Sequence, residues 1–425
     1  MIQEMLSLLL SVTLPLGAVY APAGSLPDSV TQAAAPAALS APAFEDFDAA
    51  FDIREQNPVS DEFLAAVDEF SAQTAAGLLT GAENACYSPA SLYFALALTA
   101  SGAAGDTQSQ LLDLLGAEDA ASLTQSCSNL YRLLYTDNEI GALQIANALW
   151  MEETAAFMPD FTQTASSDFY AWLYTADLNA PATVTAMEQW VSEHTGGKIQ
   201  PIIEPSADSI LYLMNTIYLK DEWTDLFDET ENTVEPFYLA DGSSQNATYM
   251  HREDIGSFVR ADGYLSASLG LKNLGWVTFV LPDEDTPLSS LLTRESLAAI
   301  LSDENAVSSG RILWSVPKFT YDSKLDLKAM LQGCGVTDLF DAERADLSAM
   351  TTAQPAYLAS ATQQTYIDVN EKGVEAAAYT ELGYAGSSLP EGTAEMKLDR
   401  PFLYILTASN GTPLFIGVCA QPTAA

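Results

Sequence analysis

The segment from Glu371 to Thr380 constrains the fold of this chain more than any other. It reads Glu-Lys-Gly-Val-Glu-Ala-Ala-Ala-Tyr-Thr, and a strand-like run, Tyr366-Ile-Asp-Val369, comes directly before it. Gly373 lets the backbone turn where other residues would be strained. The small residues that follow can lie flat against almost any surface, including the interior of a β-sheet. The pattern therefore predicts a mobile arm that can become a strand.

The order of side chains along this arm would let it enter a sheet without burying charge. Successive residues of a strand point to opposite faces. One face would carry uncharged and mostly small side chains, namely Val374, Ala376, Ala378 and Thr380. The other face would carry Glu375, Ala377, Tyr379 and Glu381, where charge can stay in water. Burying an unpaired carboxylate is strongly unfavourable. Because no charged side chain lies on the first face, this order permits the arm to insert with that face buried.

Further motifs accompany the arm. They are Asn84–Ser91, Gly102–Thr107, Trp190–Ile199, Asn215–Trp223 with Phe227, Val316–Phe319 and Gly335–Phe340. Together they resemble the serpins, a family of serine protease inhibitors, in the serpin order and over roughly residues 58 to 422. In the arm, Glu371, Lys372, Gly373 and Ala376 to Ala378 match the serpin hinge, whereas Val374 and Tyr379 depart from it. Val374 is similar in volume to the family's threonine, and Tyr379 falls on the solvated face.

The resemblance implies an α+β fold, the serpin fold. We expect one large domain with three β-sheets, about eight or nine helices and an exposed reactive-centre loop at about residues 371–398. Hydrophobic periodicity predicts helices after the N-cap Ser60 and over 91–100, 107–115 (capped by Thr107) and 183–193. It predicts strands over 145–151, 209–220, 276–282 and 311–319, with a hairpin over 401–418. The 209–220 strand is apolar on both faces, which is typical of a central strand.

The resemblance also implies suicide inhibition and not enzymatic turnover. In serpins the loop offers a peptide bond to a protease, whose serine forms an acyl-enzyme ester. The cleaved loop then inserts into the large sheet and distorts the protease before water can hydrolyse the ester. The expected partner is therefore a target serine protease, held covalently by a monomer without a cofactor.

Two other classes of function compete with this interpretation. A non-inhibitory serpin, acting as a carrier, a chaperone or a protease substrate, would be favoured by a disrupted hinge. A hydrolase is the third alternative, but His194 and His251 are the only histidines. Two histidines are too few to make a Ser-His-Asp site or a histidine-based metal site a good explanation of this chain, and we expect both to be structural or surface residues.

Family spacing counted from Glu371 places the acyl-donating residue at Ser387, with Ser388 on the leaving side. The loop has no Arg or Lys here, so a trypsin-like protease is not the expected target. A small side chain suits the shallow pocket of elastase-like or subtilisin-like proteases. Ala385 and Gly386 remain alternatives, as does Tyr384, which would suit a chymotrypsin-like or cysteine protease.

Four more residues match the two regions that admit the loop in serpins, and a fifth departs from the family pattern there. Ser88, Ser91 and Asn215 match the shutter, a hydrogen-bonded patch beneath the sheet. Gln363 stands where the family has a histidine, so pH-dependence arising from that histidine should be missing. Trp223 matches the tryptophan of the breach, the point where the loop enters.

Charge excludes several partners. The chain has 57 acidic and 16 basic residues, for a formal net charge of −41. Such a surface repels nucleic acids and anionic membranes. It also argues against activation by heparin, which some serpins show. The helix that would bind heparin should lie near residues 122–135, and its only basic residue is Arg132.

Three regions divide the chain. Residues 1–20 contain an apolar stretch too short to span a membrane, which suggests a signal peptide or its remnant and hence an extracellular protein. Residues 21–57 are rich in Ala and Pro and predict a flexible tether. Residues 58–425 form the serpin-like domain.

Overall fold

The structure, a computed structural model, describes residues 26–203, 210–302, 306–374 and 392–424. Nine α-helices lie within these ranges: α1 (Phe47–Gln56), α2 (Asp61–Leu78), α3 (Pro89–Gly102), α4 (Gly105–Leu115), α5 (Ala120–Leu134), α6 (Pro159–Ser167), α7 (Pro181–Glu193), α8 (Arg294–Leu301) and α9 (Lys328–Gly333). None of these helices is long and apolar enough to cross a membrane.

The strands, in chain order, are β1 (Val30–Ala34), β2 (Ala85–Tyr87), β3 (Thr136–Asp137), β4 (Ala142–Glu152), β5 (Ala171–Ala176), β6 (Leu211–Glu222), β7 (Thr233–Tyr238), β8 (Ser244–Ala261), β9 (Tyr264–Gly270), β10 (Gly275–Pro282), β11 (Val307–Pro317), β12 (Phe319–Asp326), β13 (Thr362–Asn370), β14 (Gly373–Val374), β15 (Thr393–Lys397), β16 (Phe402–Ala408) and β17 (Pro413–Cys419).

Two hydrogen-bonded sheets organise these strands. The first has eight strands in the order β1-β5-β4-β6-β14-β13-β12, with β3 paired to β4. The second has nine strands in the order β15-β11-β8-β9-β10-β16-β17-β2, with β7 paired to β8. Strand β8 is 18 residues long and pairs with β7, β9 and β11, so it joins two of the three expected sheets into one continuous surface.

Helix α3 lies at the centre of the molecule because it is apolar all round. All but one of its residues are buried, and it packs against β6 of the first sheet and β17 of the second. The Ser88 side chain caps it by accepting the Ser91 N–H at 3.3 Å, and Pro89 occupies the first helical position. This helix start places both serines directly beneath the first sheet.

The observed start of one helix agrees with the prediction from sequence, and the observed start of another does not. Helix α2 begins at Ser60, whose Oγ accepts the Phe63 N–H at 3.2 Å, as predicted. Helix α4 begins two residues earlier than predicted, so Thr107 is not its cap. The Thr107 hydroxyl accepts the Asp346 N–H at 3.0 Å instead, a contact that only the tertiary fold provides.

Two predicted strands also differ in detail. Strand β6 is only partly buried along residues 212–215, because a cleft between β6 and β13 opens beside these residues. The strand predicted over 311–319 is two strands, since β11 ends at Pro317 and β12 begins at Phe319.

The N-terminal segment contains more structure than its composition predicts. Within the range predicted to be a flexible tether, β1 pairs antiparallel with β5, and Val30 is buried beside α7. Helix α1 follows, and Asn57 at its end binds the Arg132 guanidinium at 3.1 Å. The exposed edge of β5 explains the difference, because its unpaired backbone groups accept a strand of almost any composition.

Candidate functional site: the hinge and the shutter of the eight-stranded sheet

The start of the hinge is already a strand of the first sheet. Gly373 pairs with Glu222 of β6 and with Asn370 of β13, and Val374 pairs with Asp221 and Val369. Strand β14 therefore lies between β6 and β13 and separates them by the width of one strand. Val374 is only 2% exposed, so its side chain faces the interior of the molecule.

Gly373 is required by close backbone packing. A Cβ atom at this position would lie 2.2 Å from the Asp221 carbonyl oxygen and 2.8 Å from the Glu222 Cα. Both of those atoms belong to the backbone and cannot rotate away. Any residue with a side chain would therefore push β14 away from β6.

Glu371 anchors the hinge through its side chain. Its Oε1 accepts hydrogen bonds from the Lys318 ammonium at 2.8 Å and from the Asn232 amide at 2.6 Å, and the residue is 5% exposed. Burial by itself raises the pKa of this carboxyl, but the bonds from Lys318 and Asn232 outweigh it, so the pKa lies below its ordinary value. The carboxylate is thus the stable form at the base of the loop.

Trp223 and Phe227 hold the hinge backbone beside the end of β6. The Trp223 indole N–H donates to the Asn370 carbonyl at 2.9 Å, and its backbone N–H donates to the Lys372 carbonyl at 2.9 Å. The Phe227 N–H donates to the Glu371 carbonyl at 3.0 Å. Three hydrogen bonds thus fix residues 370–372 against one short segment of chain.

The four predicted shutter residues form one largely buried series of hydrogen bonds. The Ser88 N–H donates to Gln363 Oε1 at 2.7 Å, and Gln363 Nε2 donates back to the Ser88 carbonyl at 2.9 Å. The Ser88 hydroxyl donates to the Leu414 carbonyl at 2.7 Å and caps Ser91. The Ser91 hydroxyl in turn donates to Asn215 Oδ1 on β6. These hydrogen bonds link β13 to α3 and α3 to β6. They therefore connect the two strands between which β14 lies.

The series continues to a residue that the sequence did not single out. Asn215 Nδ2 donates to Asn147 Oδ1 on β4 at 2.8 Å. Asn147 is fully buried and lies opposite Asn215 in the ladder between β4 and β6. An asparagine inside the otherwise apolar stretch 145–151 of β4 is the sequence signal that could have identified it.

A cleft of about 500 Å³ lies further along β6 and β13, beyond the residues that pair with β14. Tyr212, Met214 and Thr216 line it from β6, Thr362 and Gln364 line it from β13, and Met187 of α7 covers it. Among the described residues, β6 and β13 do not pair with each other, and each of them pairs with β14. The cleft therefore runs along the path that a longer inserted strand would take.

Several predicted site residues lie outside the described ranges. These are Glu375, Ala376, Ala377 and Ala378 of the hinge, Ser387 and Ser388 of the reactive bond, and the alternatives Tyr384, Ala385 and Gly386. Their roles stay predictions. Lys318 and Asn232, which bind Glu371, were not predicted; Lys318 belongs to the Val316–Phe319 motif, which was the available signal.

The histidines occupy structural positions. His194 is 5% exposed and stacks on Trp190 with ring centroids 4.3 Å apart, and burial lowers its pKa to about 4. His251 lies beside Thr233 and Ser315 on the second sheet. The described residues hold no cluster of His, Cys, Asp and Glu that could bind a metal ion.

Comparison with known proteins identifies the family. The family model described as Serpin (serine protease inhibitor) matches residues 65–422. Human Serpin B11 is 29% identical over 383 residues, covering 80% of this chain and 94% of that protein. Human antithrombin-III is 30% identical over 359 residues, covering 80% and 77%.

Solved structures show the same fold. The native state of tengpin, a thermophilic serpin, superposes with a TM-score of 0.77 at 24% identity, covering 86% of this chain and 95% of that chain. Thyroxine-binding globulin in complex with thyroxine superposes with a TM-score of 0.73 at 22% identity, covering 85% and 99%. With the hinge, the central sheet and the family match in agreement, the chain belongs to the serpin family of serine protease inhibitors.

Proposed function

We propose that this chain is a suicide inhibitor of serine proteases, acylated at Ser387, that traps the protease by inserting its loop between β6 and β13. The observation that carries the proposal is strand β14, which is already hydrogen-bonded between those two strands. The cleft beyond it offers a path for the rest of the loop. Because Val374 is buried, Ala376, Ala378 and Thr380 would follow it onto the inner face, and none of them is charged.

The covalent step is ordinary acyl transfer. The protease serine Oγ attacks the Ser387 carbonyl carbon, and the Ser387–Ser388 peptide bond breaks. The new amino terminus at Ser388 leaves with the proton that the protease's general base took from the serine. An ester then joins Ser387 to the protease, and insertion of the loop removes that ester from attacking water.

The loop sequence favours a protease with a small specificity pocket. Residues 384–388 read Tyr-Ala-Gly-Ser-Ser and contain no cation for a trypsin-like pocket. Elastase-like and subtilisin-like proteases are the preferred targets. If the bond lay after Tyr384 instead, chymotrypsin-like or cysteine proteases would replace them, and Ala385 or Gly386 would keep the small-pocket preference.

The inhibitor is proposed to act outside the cell as a monomer and without heparin. The N-terminal sequence suggests secretion, and the net charge of −41 repels a sulfated polysaccharide. Arg132, the only basic residue on α5, is already bound to the Tyr170 hydroxyl at 2.5 Å and to Asn57.

The test is a denaturing gel after mixing the protein with pancreatic elastase, and separately with subtilisin and chymotrypsin. Trapping predicts an SDS-stable band at the mass of the protease plus most of the 45.5 kDa chain. Mass spectrometry of the released C-terminal peptide, starting at Ser388, would identify the bond. Cleavage without such a band with every protease tested would contradict an inhibitory function.

Two neighbouring substitutions separate insertion from mere cleavage. Ala376→Arg places a cation on the face that would be buried, whereas Ala377→Arg places the same cation on the solvated face. Since a buried unpaired charge is strongly unfavourable, the first variant should be cleaved without trapping. The second should trap like the wild type, and equal behaviour of the two would rule out insertion in this register.

A non-inhibitory carrier is the second candidate. The fold likeness to thyroxine-binding globulin in complex with thyroxine favours it, since that serpin is seen binding a small ligand. In that case, proteases would cleave the loop and no covalent band would form. The intact hinge residues Glu371, Lys372 and Gly373 favour the inhibitor.

A further inference from the structure

The end of strand β6 carries an arrangement that the hinge and the shutter do not explain. Asp221 is completely buried there, and its backbone pairs with Val374 of the hinge strand. Its side chain points to the turn between β9 and β10, in the other sheet. This buried carboxylate therefore stands where the loop enters and where the two sheets meet.

Every contact of the Asp221 carboxylate is an N–H donor. Oδ2 accepts the backbone N–H groups of Asn273 at 2.9 Å and of Leu274 at 2.8 Å. Oδ1 accepts the Glu222 N–H at 2.9 Å and the Asn273 side-chain amide at 3.0 Å. Burial raises the pKa of this carboxyl, and these hydrogen bonds oppose the rise. Four donors on two oxygens match a carboxylate, which only accepts hydrogen bonds.

The neighbouring residues strengthen the same connection. Glu222, 2% exposed, accepts the Lys272 ammonium at 2.6 Å, and its carbonyl accepts the Lys272 N–H at 2.9 Å. The turn is itself held from two further sides. Asn138 donates to Asn273 Oδ1 at 3.0 Å, and the Ser409 N–H donates to the Leu274 carbonyl at 2.7 Å. The turn is therefore a fixed support and not a loose loop.

We infer that Asp221 is a positioning residue that holds the end of β6 one strand-width away from β13, so that the sheet is already open where the loop begins to insert. The inference rests on the proposed function. Neighbouring strands are about 4.8 Å apart, so β14 fits only if β6 stays twice that distance from β13. Asp221 keeps it there by fixing β6 to a turn of the other sheet.

Loss of this anchor should slow insertion. In Asp221→Asn, whichever way the amide is turned, its NH₂ group faces two N–H donors, and two of the four hydrogen bonds are lost. The end of β6 can then move toward β13 and displace the two-residue strand β14. Because insertion would be slower, hydrolysis would compete better with it, and a larger fraction of the acyl-enzyme would be hydrolysed.

The experiment measures strand uptake without any protease. A synthetic peptide with the sequence of residues 375–386 is incubated with the intact protein, and its uptake is followed by the rise in thermal midpoint. Asp221→Asn should take up the peptide about tenfold more slowly than the wild type, because hydrogen bonds to a charged group are lost. The number of inhibitor molecules consumed per protease inactivated should rise in parallel.

Asp338→Asn is the matched control. Asp338 is also a buried aspartate, bound to Arg344 at 2.8 Å, but it lies in a turn beside α4, away from the hinge. This variant should lower the thermal midpoint and leave peptide uptake at the wild-type rate. If it slows uptake equally, the effect of Asp221 is only loss of stability and the inference is wrong.

A second variant covers the case in which Asp221→Asn does not fold. Asn273→Ala removes one of the four donors and keeps the three backbone N–H groups, so it should slow uptake by a smaller factor. Uptake at the wild-type rate in Asp221→Asn, or in Asn273→Ala where Asp221→Asn does not fold, would overturn the role of Asp221. A wild-type protein that never takes up the peptide would overturn the proposed function itself, and the positioning role with it.

Discussion

Gln363 and Ser88 exchange two hydrogen bonds across 275 positions of sequence, one to the Ser88 N–H and one to its carbonyl. Both residues are buried, at 3% and 0% exposure. A side-chain amide suits this position because it donates and accepts at the same time. The pair joins β13 to the start of α3 directly below the strands that must part.

Gln363→Ala should destabilise the protein by about 1–3 kcal/mol, because the buried Ser88 N–H would lose its partner and the Ser88 carbonyl would keep only the Leu92 N–H. The urea midpoint of unfolding, followed by circular dichroism, measures this. Gln364→Ala is the control, since Gln364 lies on the same strand but lines the cleft. A midpoint shift no larger than that of the control would mean that water replaces the amide and that the pair is not structural.

The residues predicted to form the shutter could be named from the sequence because they lie in motifs whose order and spacing match a known family. Ser88, Ser91, Asn215 and Gln363 were predicted separately, and the structure brings them into one hydrogen-bond chain. The partners of Glu371 could not be predicted in the same way. Lys318 and Asn232 are 53 and 139 positions away from it, and no local pattern encodes such a distance.

The N-terminal segment shows the opposite limit of sequence analysis. Its Ala- and Pro-rich composition predicts a flexible chain, but β1 forms because the edge of β5 supplies hydrogen-bond partners. The composition of a segment predicts only the conformation that the segment prefers in isolation. An edge strand is stabilised by its neighbour, and the sequence of the segment does not report that neighbour.

Gly373→Ala should impair insertion at its first step. The new Cβ would meet the Asp221 carbonyl oxygen at 2.2 Å, so β14 would have to leave its place between β6 and β13. Protease trapping should fall strongly while cleavage of the loop persists, and the ratio of the two products on a denaturing gel measures this. Gly333→Ala, at a glycine with open space around it, should behave like the wild type. Full trapping by Gly373→Ala would show that the hinge inserts without this close contact.

Glu371→Gln should remove a stabilising interaction that depends on pH. Because the pKa of Glu371 is lowered in the folded protein, its contribution is complete above the ordinary value of 4.5 and is lost as the pH falls through the lower folded value. The loss at pH 7 should be about 1–2 kcal/mol, discounted because Lys318 is partly exposed. Urea midpoints of wild type and variant should therefore differ at pH 7 and converge below pH 4.5. A difference that persisted in acid would mean that the ion pair is not its source.

His194 should make stability depend on pH in a higher window. Burial lowers its pKa from 6.5 to about 4, so between those values the unfolded chain is protonated at this residue while the folded protein is not. The folded protein binds fewer protons, and its stability should fall by about 1.4 kcal/mol for each pH unit below 6.5, levelling off near pH 4. His194→Gln should remove this slope between pH 6.5 and 5, whatever its effect on stability at pH 7. His251→Gln, which removes a partly exposed histidine of the second sheet, is the control. Equal slopes in the wild type and in His194→Gln would show that the buried imidazole is protonated in the folded protein.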